Sequence, residues 1–261
     1  GRAAVEGPAL VHLCWDGPGD AATKKTVAWV GKGIVYDTGG LSLKTKTGMP
    51  GMKGDMAGSA AVLAAFEVAV RRGTPHRLHA LLCLAENAVG PSATRPDDVI
   101  TLYSGKTVEV NNTDAEGRLV LGDGVAYAAK HLSPHVIIDI ATLTGAQLVA
   151  TGRKHAAVVS NDEALERSAV AAGLRSGDLV FPLPWCPELF KSEFKSEIAD
   201  MKNSVKNREN AQSSCAAQFV ANHLGDYAGP WLHIDMAGPA MGSGERATGY
   251  GVALLLELLA R

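Results

Sequence analysis

Residues 78–84, Leu-His-Ala-Leu-Leu-Cys-Leu, form a nearly unbroken apolar run, and residues 136–140 form a second. Short runs without polar alternation belong to strands covered on both faces, as in a parallel sheet between layers of helix. Further strands are expected at 27–30, 34–36, 107–110, 156–160 and 231–235. The first two flank Gly31-Lys32-Gly33, which reads as a turn. Helical patterns alternate with these runs. The first covers 57–72, Ala-rich, with Val62, Leu63, Phe66 and Val70 on one face and Gly73 at its end. Others cover 118–131, 163–172 (closed by Gly173), 216–224 and 249–259. Residues 91–98, 182–187 and 238–244 read as loops, and the polar stretch 192–214 has no clear period. The alternation predicts an α/β fold: a mixed, largely parallel sheet with helices on both faces. No repeat or linker divides residues 1–261, so one domain is expected. A chain of this length with 46% apolar and 20% charged residues can bury one sizeable core.

In the octet Asn112-Thr113-Asp114-Ala115-Glu116-Gly117-Arg118-Leu119, two acids and a guanidinium occupy alternate positions just before a helical stretch. In an extended segment, side chains at i, i+2 and i+4 share one face. Asp114, Glu116 and Arg118 would then point into one site, with the look of a metal cage beside an anion clamp. Asp37, Glu86, Asp114 and Thr142 each follow an expected strand. That is where open α/β sheets place their sites, beyond the carboxyl ends of the strands.

The octet closely resembles the signature of the leucine aminopeptidase (cytosol aminopeptidase) family, two-metal exopeptidases. Residues 30–44 (Val-Gly-Lys-Gly-Ile-Val-Tyr-Asp-Thr-Gly-Gly-Leu-Ser-Leu-Lys) are similar to the family's first metal segment. Residues 52–56 (Met-Lys-Gly-Asp-Met) are similar to its second, and 141–146 (Ala-Thr-Leu-Thr-Gly-Ala) to a substrate-side loop. The resemblance runs from about Val27 to the end. Details at 36–38, 53–55 and 91–96 look like the "probable aminopeptidase, leucine aminopeptidase-like" branch.

This resemblance implies a metallo-aminopeptidase catalytic domain that hydrolyses the N-terminal residue from peptides through a metal-bridging water. Asp37 and Glu116 would bridge two divalent cations. Lys32 and Asp55 would complete the tighter site and Asp114 the more exchangeable one. Zinc is the family's usual metal, with manganese or magnesium tolerated in one site. Lys44 would polarise the scissile carbonyl, and Arg118 would hold a bicarbonate ion that shuttles the proton. Met52, Thr142, Gly145 and Ala237 would line the first substrate pocket. Pro239-Ala240 departs from the family here, where a bulkier methionine-like position is common. Family members also carry a separate N-terminal domain and a further catalytic stretch before Lys32, which this sequence lacks, and they assemble as hexamers.

Taken singly, each residue has a plainer reading. Asp55 precedes a helix and suits an N-cap. Asp37 before Thr-Gly-Gly suits a turn. Asp114 and Glu116 would suit the start of the 118–131 helix, and Lys32 a solvated turn. Five such residues in family order and spacing outweigh those readings together. Gly31-Lys32-Gly33 lacks the rest of a phosphate loop. No HExxH is present, and Ser42, Ser59 and Ser104 lack a GxSxG setting.

Two rival functions have less support. A non-catalytic DNA-binding or scaffold member of the family would want a basic surface, but the net charge is −2. A two-metal phosphoesterase could use Lys32 and Lys44, but the octet argues against it. No apolar run reaches bilayer length. The start Gly1-Arg2-Ala3-Ala4 lacks a secretory pattern. Cys14, Cys83, Cys186 and Cys215 are scattered, without a CxxC pair. The expected location is therefore a reducing cytoplasm.

Overall fold

The computed structural model describes residues 1–20, 22–242 and 246–260. Its centre is a seven-stranded sheet. In chain order its strands are β1 (Ala9–Asp16), β2 (Thr26–Asp37), β3 (Arg77–Asn87), β6 (Val136–Ala141), β7 (Ala156–Ser160), β8 (Val180–Pro182) and β10 (Trp231–Asp235). Spatially they run β1-β3-β2-β6-β10-β7-β8. The central four, β3, β2, β6 and β10, are mutually parallel, whereas β1 and β7 join antiparallel. β4 (Val99–Thr101), β5 (Thr107–Glu109) and β9 (Met201–Lys202) make a small second sheet.

Helices cover both faces, as expected. On one side α1 (Ala57–Arg71), α4 (Glu163–Ser176) and α7 (Val252–Leu259) pack on Trp29, Leu78, Ile138, Ile140 and Leu232. On the other, α2 (Gly117–His131) and α6 (Gln212–Ala221) pack on Val30, Leu81, Ile137 and Trp231. Two shorter helices, α3 (Gly145–Ala150) and α5 (Pro187–Phe190), lie in the connections. The loop expected at 238–244 falls partly outside the described residues, at 243 and 244.

Several elements differ from the sequence expectation. β2 is one strand of twelve residues, with Gly31-Lys32-Gly33 at its centre instead of a turn. A Cβ on Gly31 would stand 2.6 Å from the Cα of Ser59, so the missing side chain lets the start of α1 lie directly against the strand. The buried face of α1 is correspondingly its small one. Gly58, Ser59, Ala61, Val62, Ala65 and Ala69 face inward, while Leu63 is exposed. Gly173 does not end α4. It packs tightly against 178–180, and the helix closes at Gly177, whose φ of 82° is the left-handed turn that glycine accepts readily. β1 is an added strand whose Val11, Leu13 and Trp15 alternate inward onto the core. The stretch 192–214 resolves into a 3-10 turn, β9, a loop and the start of α6.

β2 also carries a bulge. Ile34 pairs with Ala85, but Asp37 pairs with Asn87, so three steps on β2 oppose two on β3. In a regular strand Lys32 and Asp37 would lie on opposite faces, five residues apart. The extra residue brings Asp37 round to the face of Lys32.

Candidate metal centre and substrate cleft

The carboxyl ends of the central strands open into a cleft of about 370 Å³. Every site residue expected from sequence lines it: Lys32, Asp37, Lys44, Asp55, Asp114, Glu116 and Arg118, with Met52, Thr142, Gly145 and Ala237. Asp37 ends β2, Thr142 follows β6, and Asp55 sits between a 3-10 turn (Met52–Gly54) and α1. Asp114 and Glu116 come from the loop before α2. That loop is a turn and not an extended segment, so the convergence of Asp114, Glu116 and Arg118 comes from the turn and the first residues of α2.

Carboxylate oxygens of Asp37, Asp55 and Glu116 lie within 4.8 Å of one another, and all three residues are buried or nearly so. Lys32 Nζ donates to Asp55 Oδ1 at 2.8 Å and to the Thr142 carbonyl at 2.9 Å, and pairs with Glu116 Oε1 at 3.1 Å. Gly117 makes room for it, since a Cβ there would meet Lys32 Nζ at 2.7 Å. Lys44 Nζ pairs with Asp37 Oδ2 at 2.8 Å and Asp114 Oδ1 at 2.6 Å. Thr142 is tied in twice, because its hydroxyl also donates to Asp55 Oδ1 at 2.8 Å.

The plainer readings of these acids mostly fall away. The N-cap of α1 is Met56, with no side-chain cap, so Asp55 is not spent as one. α2 likewise has no side-chain cap, which frees Asp114 and Glu116 from that role. Asp37 does accept the Gly39 amide at 2.8 Å, so its turn role coexists with its place in the cluster.

The charges do not balance within the protein. Four carboxylates against two ammonium groups and the Arg118 guanidinium leave negative charge uncompensated in a poorly solvated site. Burial pushes the carboxyls of Asp55 and Asp114 up, and drives Glu116 up to about 7 despite Lys32. Asp55 Oδ2 is buried without any hydrogen-bond partner. These are the marks of a site short of positive charge, and its all-oxygen carboxylate set suits hard or borderline divalent cations. Burial alone would push the Lys32 ammonium down. The surrounding Asp55, Glu116 and Asp37 outweigh burial and hold it up, so without added cations Lys32 is a charged donor.

Arg118 is buried, and burial lowers its guanidinium to about 10. Nη1 donates to the Asn203 carbonyl at 2.9 Å, while Nε has no partner. Among the described residues no ion pair joins it to Asp114 or Glu116. A fixed guanidinium with an unsatisfied Nε–H is suited to a planar anion.

Two amides that sequence reasoning misses hold this arrangement. Asn87, the last residue of β3, donates through Nδ2 to Asp37 Oδ1 (2.8 Å), the Thr113 carbonyl (3.0 Å) and Glu116 Oε2 (3.4 Å). It is Asn87, and not the adjacent Glu86, that reaches the site from β3. Fully buried Asn203 clamps the octet loop. Its Oδ1 accepts the amides of Asn111 and Asn112 at 2.9 and 3.2 Å, and its Nδ2 donates to the carbonyls of Asn112 and Ala115 at 2.6 and 3.3 Å. All its side-chain hydrogen-bonding positions are thereby used. Asn203→Ala is expected to cost about 3 kcal/mol of stability, because four backbone groups lose their partner. Urea denaturation checks this. An amide in a loop carries no motif of its own, which is why neither residue stands out in the sequence. Met241 also lines the cleft. It supplies one residue later the sulfur-bearing side chain that Pro239-Ala240 lacks.

The family model described as the cytosol aminopeptidase family, catalytic domain, matches residues 1–256. The chain is 62% identical, over its whole length, to a Mus musculus protein named probable aminopeptidase NPEPL1, and covers 49% of it. It is 51% identical to leucine aminopeptidase 1 of Caenorhabditis elegans, again over its whole length and covering 53% of that protein. The chain thus spans about half the length of the curated relatives it matches. Among solved structures, leucyl aminopeptidase from Trypanosoma brucei in complex with bestatin superposes over the whole chain and half of the other (TM-score 0.97, 51% identity). The apo leucyl aminopeptidase from Trypanosoma cruzi superposes over 98% of the chain and 50% of the other, with a TM-score of 0.95 and 57% identity.

Proposed function

The chain belongs to the cytosol aminopeptidase family, and on that footing we propose that it is the catalytic part of an aminopeptidase that releases N-terminal residues from peptides with two divalent cations. The observation that carries this reading is the meeting of Lys32, Asp37, Asp55, Asp114 and Glu116 in one cleft with a deficit of positive charge. When bound, the cations would supply an acidified water and a Lewis acid for the scissile carbonyl. By its likeness to the family, zinc would be the usual metal, with manganese or magnesium tolerated in one position.

The chain's own groups account for the rest. Asp37 and Glu116, both held by the Asn87 amide, would be the carboxylates shared by the two cations. Lys32, Asp55 and Asp114 stand to either side of them. Lys44 is partly solvent-accessible and faces the cleft, so its ammonium can donate to the oxyanion that develops on the carbonyl. Arg118 cannot act as a base. Its unpartnered Nε–H, in a guanidinium that lines the cleft, supports the holding of a bicarbonate ion beside the site. Thr142, Gly145, Met52, Ala237 and Met241 form the wall against which the first side chain of the peptide would lie.

Among the described residues nothing favours a DNA-binding or scaffold role, since the expected ligand residues meet in one cleft and the net charge is −2. Among the described residues no helix is long and apolar enough to cross a membrane. The test is an assay of amino-acid p-nitroanilides and dipeptides after chelation and refilling with Zn²⁺ or Mn²⁺, with bicarbonate present. Metal-restored release of the N-terminal residue supports the proposal. Silence across the panel with metals bound would turn the reading toward a non-catalytic role.

A further inference from the structure

Of the charged side chains that line the metal cleft, seven belong to the cluster already described, and the eighth is Arg208. It comes from the loop between β9 and α6, which also gives the cleft Ser204 and Val205. That loop is joined to the octet loop through Asn203 and through the Ser204 amide, which donates to Asn111 Oδ1 at 3.0 Å. The wall assigned to the first side chain of a peptide is built from other segments, those of Met52, Thr142 and Met241. Arg208 therefore belongs to the part of the cleft left for the rest of the substrate.

Arg208 is exposed, and among the described residues no hydrogen bond or ion pair engages its guanidinium. Its backbone is nevertheless held in place. The Gln212 side chain, at the start of α6, donates to the Arg208 carbonyl. The loop is also pinned to Glu193, on the 3-10 turn Lys191–Phe194. The Asn207 amide and the Asn210 side chain donate to the two Glu193 carboxylate oxygens at 3.0 and 2.8 Å, and the Lys206 amide donates to its carbonyl at 3.2 Å. Glu193 is thus spent on the loop backbone and does not neutralise Arg208.

The other cations of the cleft are committed. Lys32 and Lys44 pair with the acids of the cluster, and Arg118 is buried against the Asn203 carbonyl. Arg208 is the cation left over, and its planar fork suits a carboxylate that can accept two parallel bonds. A cleft of about 370 Å³ lies near the lower end of the range for small-molecule sites, which suits a short peptide.

We propose that Arg208 binds the free C-terminal carboxylate of a dipeptide, so that the cleft selects dipeptides over amidated or longer chains. The inference rests on the aminopeptidase reading above and names the substrate class of that same site.

The test uses the zinc-loaded protein with Leu-Gly and Leu-Gly-NH₂ as matched ligands. For binding, analogues with a CH₂–NH link in place of the peptide bond, which resist hydrolysis, are titrated by calorimetry. The acid is expected to bind at least about fivefold more tightly than the amide, as fits a bidentate pair in a partly solvated cleft. In Arg208→Met the two should differ by less than about twofold, and Arg208→Lys should recover part of the preference. In turnover the preference should appear in KM and not in kcat, because the carboxylate contact is the same in the ground and transition states. Leu-Gly-Gly should behave like the amide. Equal binding of acid and amide by the parent would overturn the proposal, and so would a preference that survives in Arg208→Met. Turnover without acid preference would remove the clamp and leave the aminopeptidase reading standing. Acid-selective binding without turnover would do the reverse.

Discussion

Glu116→Gln is expected to abolish peptide turnover while leaving the chelated protein at least as stable as the parent. The physical reason is the charge imbalance of the cluster. Glu116 is surrounded by Asp37 and Asp55, and burial drives its carboxyl up to about 7. A neutral amide of the same shape removes that repulsion. Lys32 keeps its 2.8 Å bond to Asp55 Oδ1 and its bond to the Thr142 carbonyl. The parent should gain stability on metal loading. At a hundredfold excess over the dissociation constant the gain is about 2.7 kcal/mol per site, or roughly 5–10 °C in Tm for a domain of this size. The variant should lose most of that gain, and its turnover should fall by about 10³-fold or more, some 4 kcal/mol of barrier. Thermal scans with and without Zn²⁺, beside rate measurements, read both effects. A variant that is destabilised in chelator, yet still gains fully from metal, would place Glu116 among the merely structural residues.

Lys44→Met should have the second largest effect, and it should fall on kcat. Lys44 is held between Asp37 and Asp114 in the cleft, so its charge is fixed before substrate arrives. Removing a preorganised donor to a developing oxyanion typically costs about 10²–10³ in kcat. KM should change little, because the interaction strengthens only as negative charge develops. Lys44→Arg should recover part of the loss. A rise in KM with kcat intact would instead assign Lys44 to ground-state binding.

The sequence reveals this site well because its signal lies in residue types that seldom gather without a purpose. Asp114, Glu116 and Arg118 in eight residues, with Lys32, Asp37 and Asp55 in family order, leave few alternatives. The reasons by which they converge are less legible. Gly31-Lys32-Gly33 has the composition of a turn, and only the packing of Ser59 against Gly31 shows why those glycines belong inside a strand. The bulge that turns Asp37 toward Lys32 leaves no mark in the residues themselves. α1 misleads in a similar way. Of its large apolar residues, Val62 and Phe66 do join the core, but Leu63 is exposed and Gly58, Ser59, Ala61, Ala65 and Ala69 fill the rest of the buried face, because close backbone approach matters here as well as side-chain area. Asn87 and Asn203 escape notice because an amide becomes informative only when its partners are known.

The most direct test of the metal reading is anomalous diffraction from crystals soaked in Zn²⁺ and, separately, Mn²⁺. The account predicts two peaks roughly 3.5–4 Å apart, lying between Asp37 and Glu116, with Asp55 and Lys32 on one and Asp114 on the other. A cluster that stays free of anomalous density while the ions bind elsewhere, or a single peak in the cluster at saturating metal, would contradict it.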